Sequence, residues 1–507
     1  MSAPFQKLLI ANRGEIAVRI QRTCRELGIA TVAVHSSADR HALHVRLADE
    51  AYEIGGPAPA DSYLRGERIL DVARRSGAEA IHPGFGFLAE NPAFARAVEE
   101  SGLVFVGPPA HAMEVMGDKI ASRRAMQAAG VPVVPGGTAP VADAAAAAIT
   151  AAEFGYPVML KASAGGGGKG MRVVHAAREM DAAFRTGSGE AESAFGDGRM
   201  YVEKYLAEPH HIEVQVLADA HGRTMHLGER ECSIQRRHQK LIEECPSPTI
   251  TDAQRQEVGE VAVRAAAAVG YRSAGTVEFL YSQGAFYFLE MNTRIQVEHP
   301  VTEEVYGVDL IEWMLRIAAG EELDLPEGMK PRGHAIEVRL NAEDPENNFM
   351  PVTGTLRNLR LPGGPGIRID AAIYSGMEVT PHYDSMLGKL VARGRDRDQA
   401  RRRLERALAE LHLGGVTTSA GLALELLRSD EFVRGEYDTG LLERFRSADA
   451  GAAGSALERV AAIAAALHRH HAGKRRGLAA LAADPRRSPW AEAGRQAGMR
   501  GNGGPRE

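Results

Sequence analysis

Phe288-Leu289-Glu290-Met291-Asn292-Thr293-Arg294-Ile295-Gln296-Val297-Glu298-His299-Pro300 ends an apolar run with two carboxylates, two amides and a guanidinium in nine residues, Glu290 to Glu298. That mixture suits a place that holds a cation and small anions side by side. Upstream, Thr276–Tyr281 and Phe286–Glu290 read as two strands about a turn at Ser282-Gln283-Gly284. A hairpin centred on Gly284 sets Glu278 opposite Glu290. Like charges facing across a ladder destabilise it. A hard cation between them removes the repulsion, and Glu278, Glu290 and the Asn292 oxygen are ligands of the kind Mg²⁺ takes, with phosphate oxygens completing its shell. The plainer reading turns both acids to water, but it leaves Asn292 and Arg294 unexplained.

A second constellation concerns phosphate. The chain has 60 basic residues, only nine of them lysine, and five of the nine (Lys119, Lys161, Lys169, Lys204 and Lys240) fall between residues 119 and 240. Lysine binds phosphate as a compact point charge, arginine as a planar fork. Between the strands Tyr156–Ala162 and Met171–Val174 lies Ala164-Gly165-Gly166-Gly167-Gly168-Lys169-Gly170. Four successive glycines, Gly165, Gly166, Gly167 and Gly168, let backbone N–H groups approach a phosphate closely. No Ser or Thr follows the lysine and no helix follows the loop, so it is not a Walker loop. Strand, glycine turn and strand together make a flap; a loose linker is the bland alternative.

The elements that position these groups follow an α/β plan. Residues 1–115 alternate strand and helix: Lys7–Ala11, Thr31–Val34, Ala80–Ile81 and Val104–Val106 are the strands, each ending in a turn. That pattern predicts a doubly wound parallel sheet with ligands at the strand carboxyl ends. Residues 116–325 form a central domain, with the flap subdomain over about 131–205 and an alanine-rich helix over about 141–153. Residues 333–445 form a third, α+β lobe. Residues 446–507 are a basic tail rich in Ala, Arg and Gly, with a helix expected around Ala456–His470 and Trp490 as a possible docking anchor; its low content of large apolar residues predicts disorder.

Bulk properties are those of a soluble globular chain: 507 residues, 44% hydrophobic and 25% charged. A net charge of −6 gives no reason to expect nucleic acid. Three cysteines without metal or disulfide spacing suit a reducing compartment, and a cytoplasmic location is the expectation, with no membrane span. Cys232 inside a strand reads as packing rather than as a nucleophile. The histidines at 468, 470 and 471 read as a solvated helix end rather than a metal site.

Taken together, Ala11-Asn12-Arg13-Gly14-Glu15-Ile16-Ala17, His82-Pro83-Gly84, Met116-Gly117-Asp118-Lys119, the glycine flap, the run Glu229–Lys240 and the run Glu290–His299 occur in an order that closely resembles the biotin carboxylase component of biotin-dependent carboxylases, an ATP-grasp ligase. The resemblance covers about residues 5–445. It implies an ATP-grasp central domain and activation of bicarbonate by ATP to carboxyphosphate. Carboxylation of biotin on a carrier protein follows, as the first half-reaction of an acyl-CoA carboxylase of the acetyl- or propionyl-CoA type. By the same resemblance, Lys119, Lys161 and Gly165–Gly168 surround the ATP phosphates; Glu203, Lys204 and Leu206 belong to the adenine hinge; His211, Gln235 and His238 contact ribose or phosphate. Glu278, Glu290 and Asn292 hold Mg²⁺ or Mn²⁺. Lys240, Arg294, Gln296 and the Val297 amide grip bicarbonate, Glu298 is the general base, and Arg339 stabilises the biotin enolate. The implied partners are a biotin carboxyl carrier protein and a carboxyltransferase, each on its own chain, within a homodimer. Two departures stand out: Phe85 where many relatives have Tyr, and Leu413-Gly414-Gly415-Val416-Thr417-Thr418-Ser419 on the third lobe. The competing readings are another ATP-grasp ligase, of the purine-pathway or carbamoyl-phosphate kind, and a non-catalytic assembly partner.

Overall fold

The computed structural model describes residues 3–137, 139–163, 170–236 and 239–447. The glycines Gly165, Gly166, Gly167 and Gly168, with Lys169, His238 and the tail from residue 448 onward, lie outside the described residues. Met1–Leu442 make one compact unit and Glu443–Glu507 a second, of which residues 443–447 are described, as helix.

The first layer is a five-stranded parallel sheet in the order β3-β2-β1-β4-β5, with β1 Lys7–Ile10, β2 Ala30–Ser36, β3 Glu50–Gly55, β4 Ala80–His82 and β5 Val104–Phe105. The sequence reading assigns four of these strands and omits β3. As an edge strand β3 alternates exposed and half-buried residues and has no apolar run to betray it. Strand order reverses at β1, so the crevice lies between the turns after β1 and β4. Asn12, in the first turn, donates from Nδ2 to the carbonyls of Pro83 and Phe85, both at 2.7 Å, and ties the two turns together. Gly84 sits there with φ +63°, and a Cβ on it would stand 2.9 Å from Asn12 Nδ2, so the turn requires glycine.

A smaller sheet, β7-β6-β8, comprises β6 Val158–Ala162, β7 Arg172–Val174 and β8 Met200–Lys204. The helices Ala144–Phe154 and Met180–Phe195 cover it. The first begins three residues later than the composition suggests, because Asp143 caps it by accepting from the Ala146 amide at 2.8 Å.

The central sheet is antiparallel and eight-stranded. Its order is β13-β12-β9-β10-β11-β14, followed by the strands Met386–Gly394 and Ile367–Ala371. Here β9 is His210–Ala218, β10 Thr224–Arg236, β11 Gln239–Cys245, β12 Ser273–Ser282, β13 Ala285–Asn292 and β14 His334–Asn341. Strands from residues 333–445 thus continue the sheet of the central region. The two-residue alternation of the strands gives this sheet two unlike faces. On one, Ile212, Val214, Val216, Val277, Phe279 and Phe288 pack with the helix Asp252–Ala268. Burying a side chain such as Phe279 stabilises the fold by about 1.5–3 kcal/mol. The opposite face carries His211, Glu213, Gln215, Arg230, Thr276 and Glu278, all buried. A buried sheet face made of charged and polar groups is costly to build and marks the place where chemistry is arranged.

Candidate active site

The hairpin supplies the first contacts. Gln283 and Gly284 both have positive φ, 51° and 84°, the combination a tight two-residue turn needs. With Ser282 paired to Ala285, a regular ladder would set Glu278 opposite Leu289. A bulge between Glu278 and Phe279 shifts the register by one, and Glu278 pairs with Glu290 instead. The facing pair expected from the sequence is present, although the hairpin is centred between Gln283 and Gly284 rather than on Gly284. The line of neighbours continues across the sheet, from Glu278 to Glu213 on β9 and from Glu213 to Arg230 on β10.

Lys240, from β11, sits among these acids. Its Nζ donates to Glu213, to Glu278 Oε1 at 2.9 Å and to Glu298 Oε1 at 2.6 Å. Burial works to strip its proton, but Glu213, Glu278 and Glu298 outweigh burial and hold its pKa well above the ordinary value. The ammonium is therefore permanent. Glu213 in turn accepts from Arg230, which also donates to Gln215 (2.7 Å), Thr276 and Thr302 (3.0 Å each). Close groupings of His211, Glu213 and Glu278, and of Glu213, Cys232 and Glu298, have the look of metal sites. The ammonium bonded to all three carboxylates already fills that role. Cys232 is inert there, since burial raises its thiol pKa well above the usual range.

Glu298 immediately precedes the helix His299–Tyr306 and is fully buried. Its Oε2 accepts from Arg339 Nη2 at 2.8 Å while Oε1 holds Lys240. Burial favours the neutral acid; Lys240, Arg339 and Arg230 overcome it and keep the carboxylate ionised far below the usual range. Between Glu298 and the hairpin, Arg294 donates to Gln296 Oε1 (3.0 Å), Asn292 Oδ1 (3.1 Å) and Glu90 Oε2 (3.0 Å). Glu278 Oε1 accepts from Asn292 Nδ2 (2.8 Å) and Gln296 Nε2 (3.0 Å). His211 Nε2 lies 3.0 Å from Glu278 Oε2, a charge contact rather than an aligned hydrogen bond. Burial lowers the His211 pKa, but the Glu278 charge more than offsets it, and the net direction is up.

Glu290 is different. It is exposed, and among the described residues no hydrogen bond or ion pair engages its carboxylate. Although water reaches it, surrounding protein first, and the Glu278 charge second, raise its pKa. A free carboxylate repelled by its cross-strand neighbour, with an amide oxygen close by, is a donor set that fits a hard cation. Asn292 would have to release Arg294 to join it.

Lys119 lies within electrostatic reach of Glu290 and of Lys161. Asp118 caps the helix Lys119–Ala128 by accepting from the amides of Ile120 (2.9 Å) and Ala121 (2.7 Å), which fixes Lys119 at the helix start. Burial lowers the Lys119 pKa and Glu290 opposes it. Lys161 Nζ stands 2.6 Å from Glu203 Oε2, and Arg123 Nη1 donates to Glu203 Oε1 at 2.6 Å. Lys204 donates to the Gly155 carbonyl at 2.9 Å, and Leu206, half-buried, follows β8. Gln235 pairs with Lys240 across β10 and β11. The Val297 carbonyl accepts from the buried Lys389 at 2.5 Å. The sequence reading overlooked Glu213, Glu90, Lys389 and Arg123. Glu213 left a signal: His211, Glu213 and Gln215 alternate with Ile212, Val214 and Val216 on β9. Glu90 and Lys389 left none, because their partners are 204 and 92 residues away.

Comparison with known proteins gives this arrangement its context. Three family models match in succession: the biotin carboxylase N-terminal domain at residues 4–113, the ATP-binding domain of the carbamoyl-phosphate synthase L chain at 118–326, and the biotin carboxylase C-terminal domain at 337–444. A pyruvate carboxylase subunit of Methanothermobacter thermautotrophicus is 54% identical over 443 residues, which cover 87% of this chain and 90% of the relative. Biotin carboxylase of Pseudomonas aeruginosa is 52% identical, with 87% and 98% covered. The chain belongs to the biotin carboxylase family. As such it is an ATP-dependent ligase, and its ATP-grasp region carries the carbamoyl-phosphate synthase match as a shared superfamily trait. Among solved structures, the biotin carboxylase of Campylobacter jejuni with a β-γ-ATP ligand superposes with TM-score 0.84 at 45% identity, covering 87% of this chain and 99% of that one. The biotin carboxylase domain dimer of the Hydrogenobacter thermophilus 2-oxoglutarate carboxylase, in complex with MgADP, ADP and bicarbonate, superposes with TM-score 0.83 at 49% identity, covering 87% and 97%. Among the described residues of this biotin carboxylase no helix is long and apolar enough to cross a membrane.

Proposed function

We propose that this chain activates bicarbonate with ATP to carboxyphosphate and transfers the carboxyl group to biotin on a carrier protein. The observation that carries the reading is Glu298, a buried carboxylate bonded at once to Lys240 (2.6 Å) and Arg339 (2.8 Å) beside the Arg294–Gln296 pair. Lys119 and Lys161, with Gly165–Gly168, offset the charge of the ATP phosphates, and Glu203, Lys204 and Leu206 line the adenine side. His211, Gln235 and His238 complete the nucleotide contacts. Glu278, Glu290 and Asn292 hold Mg²⁺ or Mn²⁺, which neutralises phosphate charge and aligns the γ-phosphoryl group. Arg294, Gln296, the Val297 amide and Lys240 orient bicarbonate, a planar anion that matches the arginine fork. Glu298 takes its proton, which leaves an oxygen nucleophile facing the phosphate. Arg339 then stabilises negative charge on the ureido oxygen of biotin.

The test is ATP cleavage by the purified chain with free biotin. Turnover that requires bicarbonate and rises with biotin supports the reading; bicarbonate-independent hydrolysis overturns it. The family resemblance implies an acceptor of the acetyl- or propionyl-CoA type, with the carrier and transferase on separate chains and the catalytic chain as a homodimer. A second reading, a 2-oxo acid acceptor, is supported by relatives named pyruvate carboxylase and 2-oxoglutarate carboxylase. Reconstitution with carrier and transferase, assayed on propionyl-CoA and on pyruvate, separates the two.

A further inference from the structure

Glu298 as a base poses a problem of its own. Lys240, Arg339 and Arg230 all stabilise its ionised form, and a carboxylate held so firmly is a weak proton acceptor. Part of that grip is relieved by Glu213, which takes up Arg230 and shares Lys240. Arg339 has a counterweight too. Its Nε donates to Glu243 Oε1 at 2.6 Å, while its Nη2 serves Glu298 at 2.8 Å. Glu243 is fully buried on β11, and its second oxygen has no hydrogen-bond partner. It lies directly opposite Glu337 on β14, whose two carboxylate oxygens are also buried without a partner. The proposed reaction uses neither acid.

We infer that Glu243 is a positioning residue for the Glu298 base: it competes for the Arg339 guanidinium, and so governs how strongly that guanidinium holds Glu298. The inference rests on the proposed role of Glu298. The groups facing Glu243 are Arg339 and Glu337 on β14, Glu298 at the helix start, Lys240 on its own strand and Cys232 on β10. Burial first, and Glu298 further, raise the Glu243 carboxyl, Arg339 lowers it, and the balance stands at about 7. As pH rises through that value Glu243 ionises, Arg339 is divided between two carboxylates, and Glu298 gains proton affinity. Turnover should rise with it. Glu337 is held well above the ordinary range, burial being the largest cause and Lys389 opposing.

The experiment is the pH profile of kcat for bicarbonate-dependent ATP cleavage at saturating MgATP and bicarbonate. The parent should show a rising limb near pH 7, the value at which Glu243 ionises. Glu243→Gln keeps an acceptor for Arg339 Nε but never ionises; the limb should vanish and turnover above it should fall roughly tenfold. Glu243→Asp keeps the charge on a shorter stem, and its limb should persist at a displaced pH. Glu337→Gln should leave the limb in place. A limb at the parental pH in both Glu243 variants, or a uniform loss of rate with the limb intact, overturns the inference. Should Glu243→Gln fail to fold, the displacement in Glu243→Asp decides. Failure of the base reading is seen separately, as parental turnover in Glu298→Gln.

Discussion

Glu90 Oε2 accepts a hydrogen bond from Arg294 Nε at 3.0 Å, across 204 residues of chain. The other carboxylate oxygen accepts from the Thr293 amide at 3.0 Å. One side chain from the loop after β4 thus fixes both the backbone and the guanidinium of the segment proposed to hold bicarbonate. Its side chain is 41% exposed, so solvent screens the ion pair and the contribution is modest. Glu90→Ala is expected to raise KM for bicarbonate roughly three- to tenfold, about 1 kcal/mol, and to leave KM for MgATP unchanged. A parallel rise in both constants would mean that Glu90 only supports the fold.

Glu298→Gln should abolish bicarbonate-dependent ATP turnover, by about 10²–10⁴. The amide fits the same space, and Lys240 and Arg339 retain Glu213, Glu278 and Glu243 as partners, so the fold should survive. Nucleotide affinity, measured by calorimetry, should match the parent. Turnover within twofold of the parent would remove Glu298 from the proton-transfer step.

The legibility of this site in the sequence was uneven, for physical reasons. Local patterns were readable: the hairpin about Gly284 and the dense run Glu290–Glu298 both show their chemistry within a dozen positions. The Glu278–Glu290 pairing was right even though the turn centre was one half-step off, because the bulge at Glu278 supplies the missing half-step. Long-range partners were not readable. Glu213 and Arg230 form a fully buried ion pair between neighbouring strands, and nothing in either strand alone names the other. Edge strand β3 escaped because its exposed residues carry no apolar signal. That β14, from the stretch 333–445, pairs with β11 is likewise a matter of register, which is not written in composition.

Glu290→Gln tests the cation site. Glu290 has no partner among the described residues, so its loss should cost little stability. It should remove one ligand for the cation and relieve the repulsion with Glu278. ATP binding without metal should equal that of the parent, while the gain in affinity on adding Mg²⁺ should shrink by about tenfold or more, with turnover falling in step. An unchanged magnesium response in a binding titration would place the cation elsewhere.

Glu244 offers a stability prediction separate from the chemistry. From β11 it accepts from Arg397 Nε (2.7 Å) and Nη2 (2.9 Å), from His334 Nε2 (2.5 Å) on the neighbouring strand β14 and from the Tyr437 hydroxyl, and so ties Arg397 and Tyr437 to the central sheet. Burial pushes its carboxyl up, but Arg397 and His334 prevail and lower it from the usual 4.5 to about 2. A carboxylate depressed in the folded state stabilises that state above its unfolded pKa, and the stabilisation is lost as pH falls through the folded value. The parent should therefore lose thermal stability as pH drops from 4.5 towards about 2, the window set by this group. Glu244→Gln should be less stable near neutrality, by about 3 kcal/mol, because Arg397 is left without its buried partner. The gap between the two proteins should close across that acid window, as read by thermal unfolding at a series of pH values. A gap that stayed constant down to the lowest pH would show that the Glu244 charge contributes nothing, and that only its shape matters.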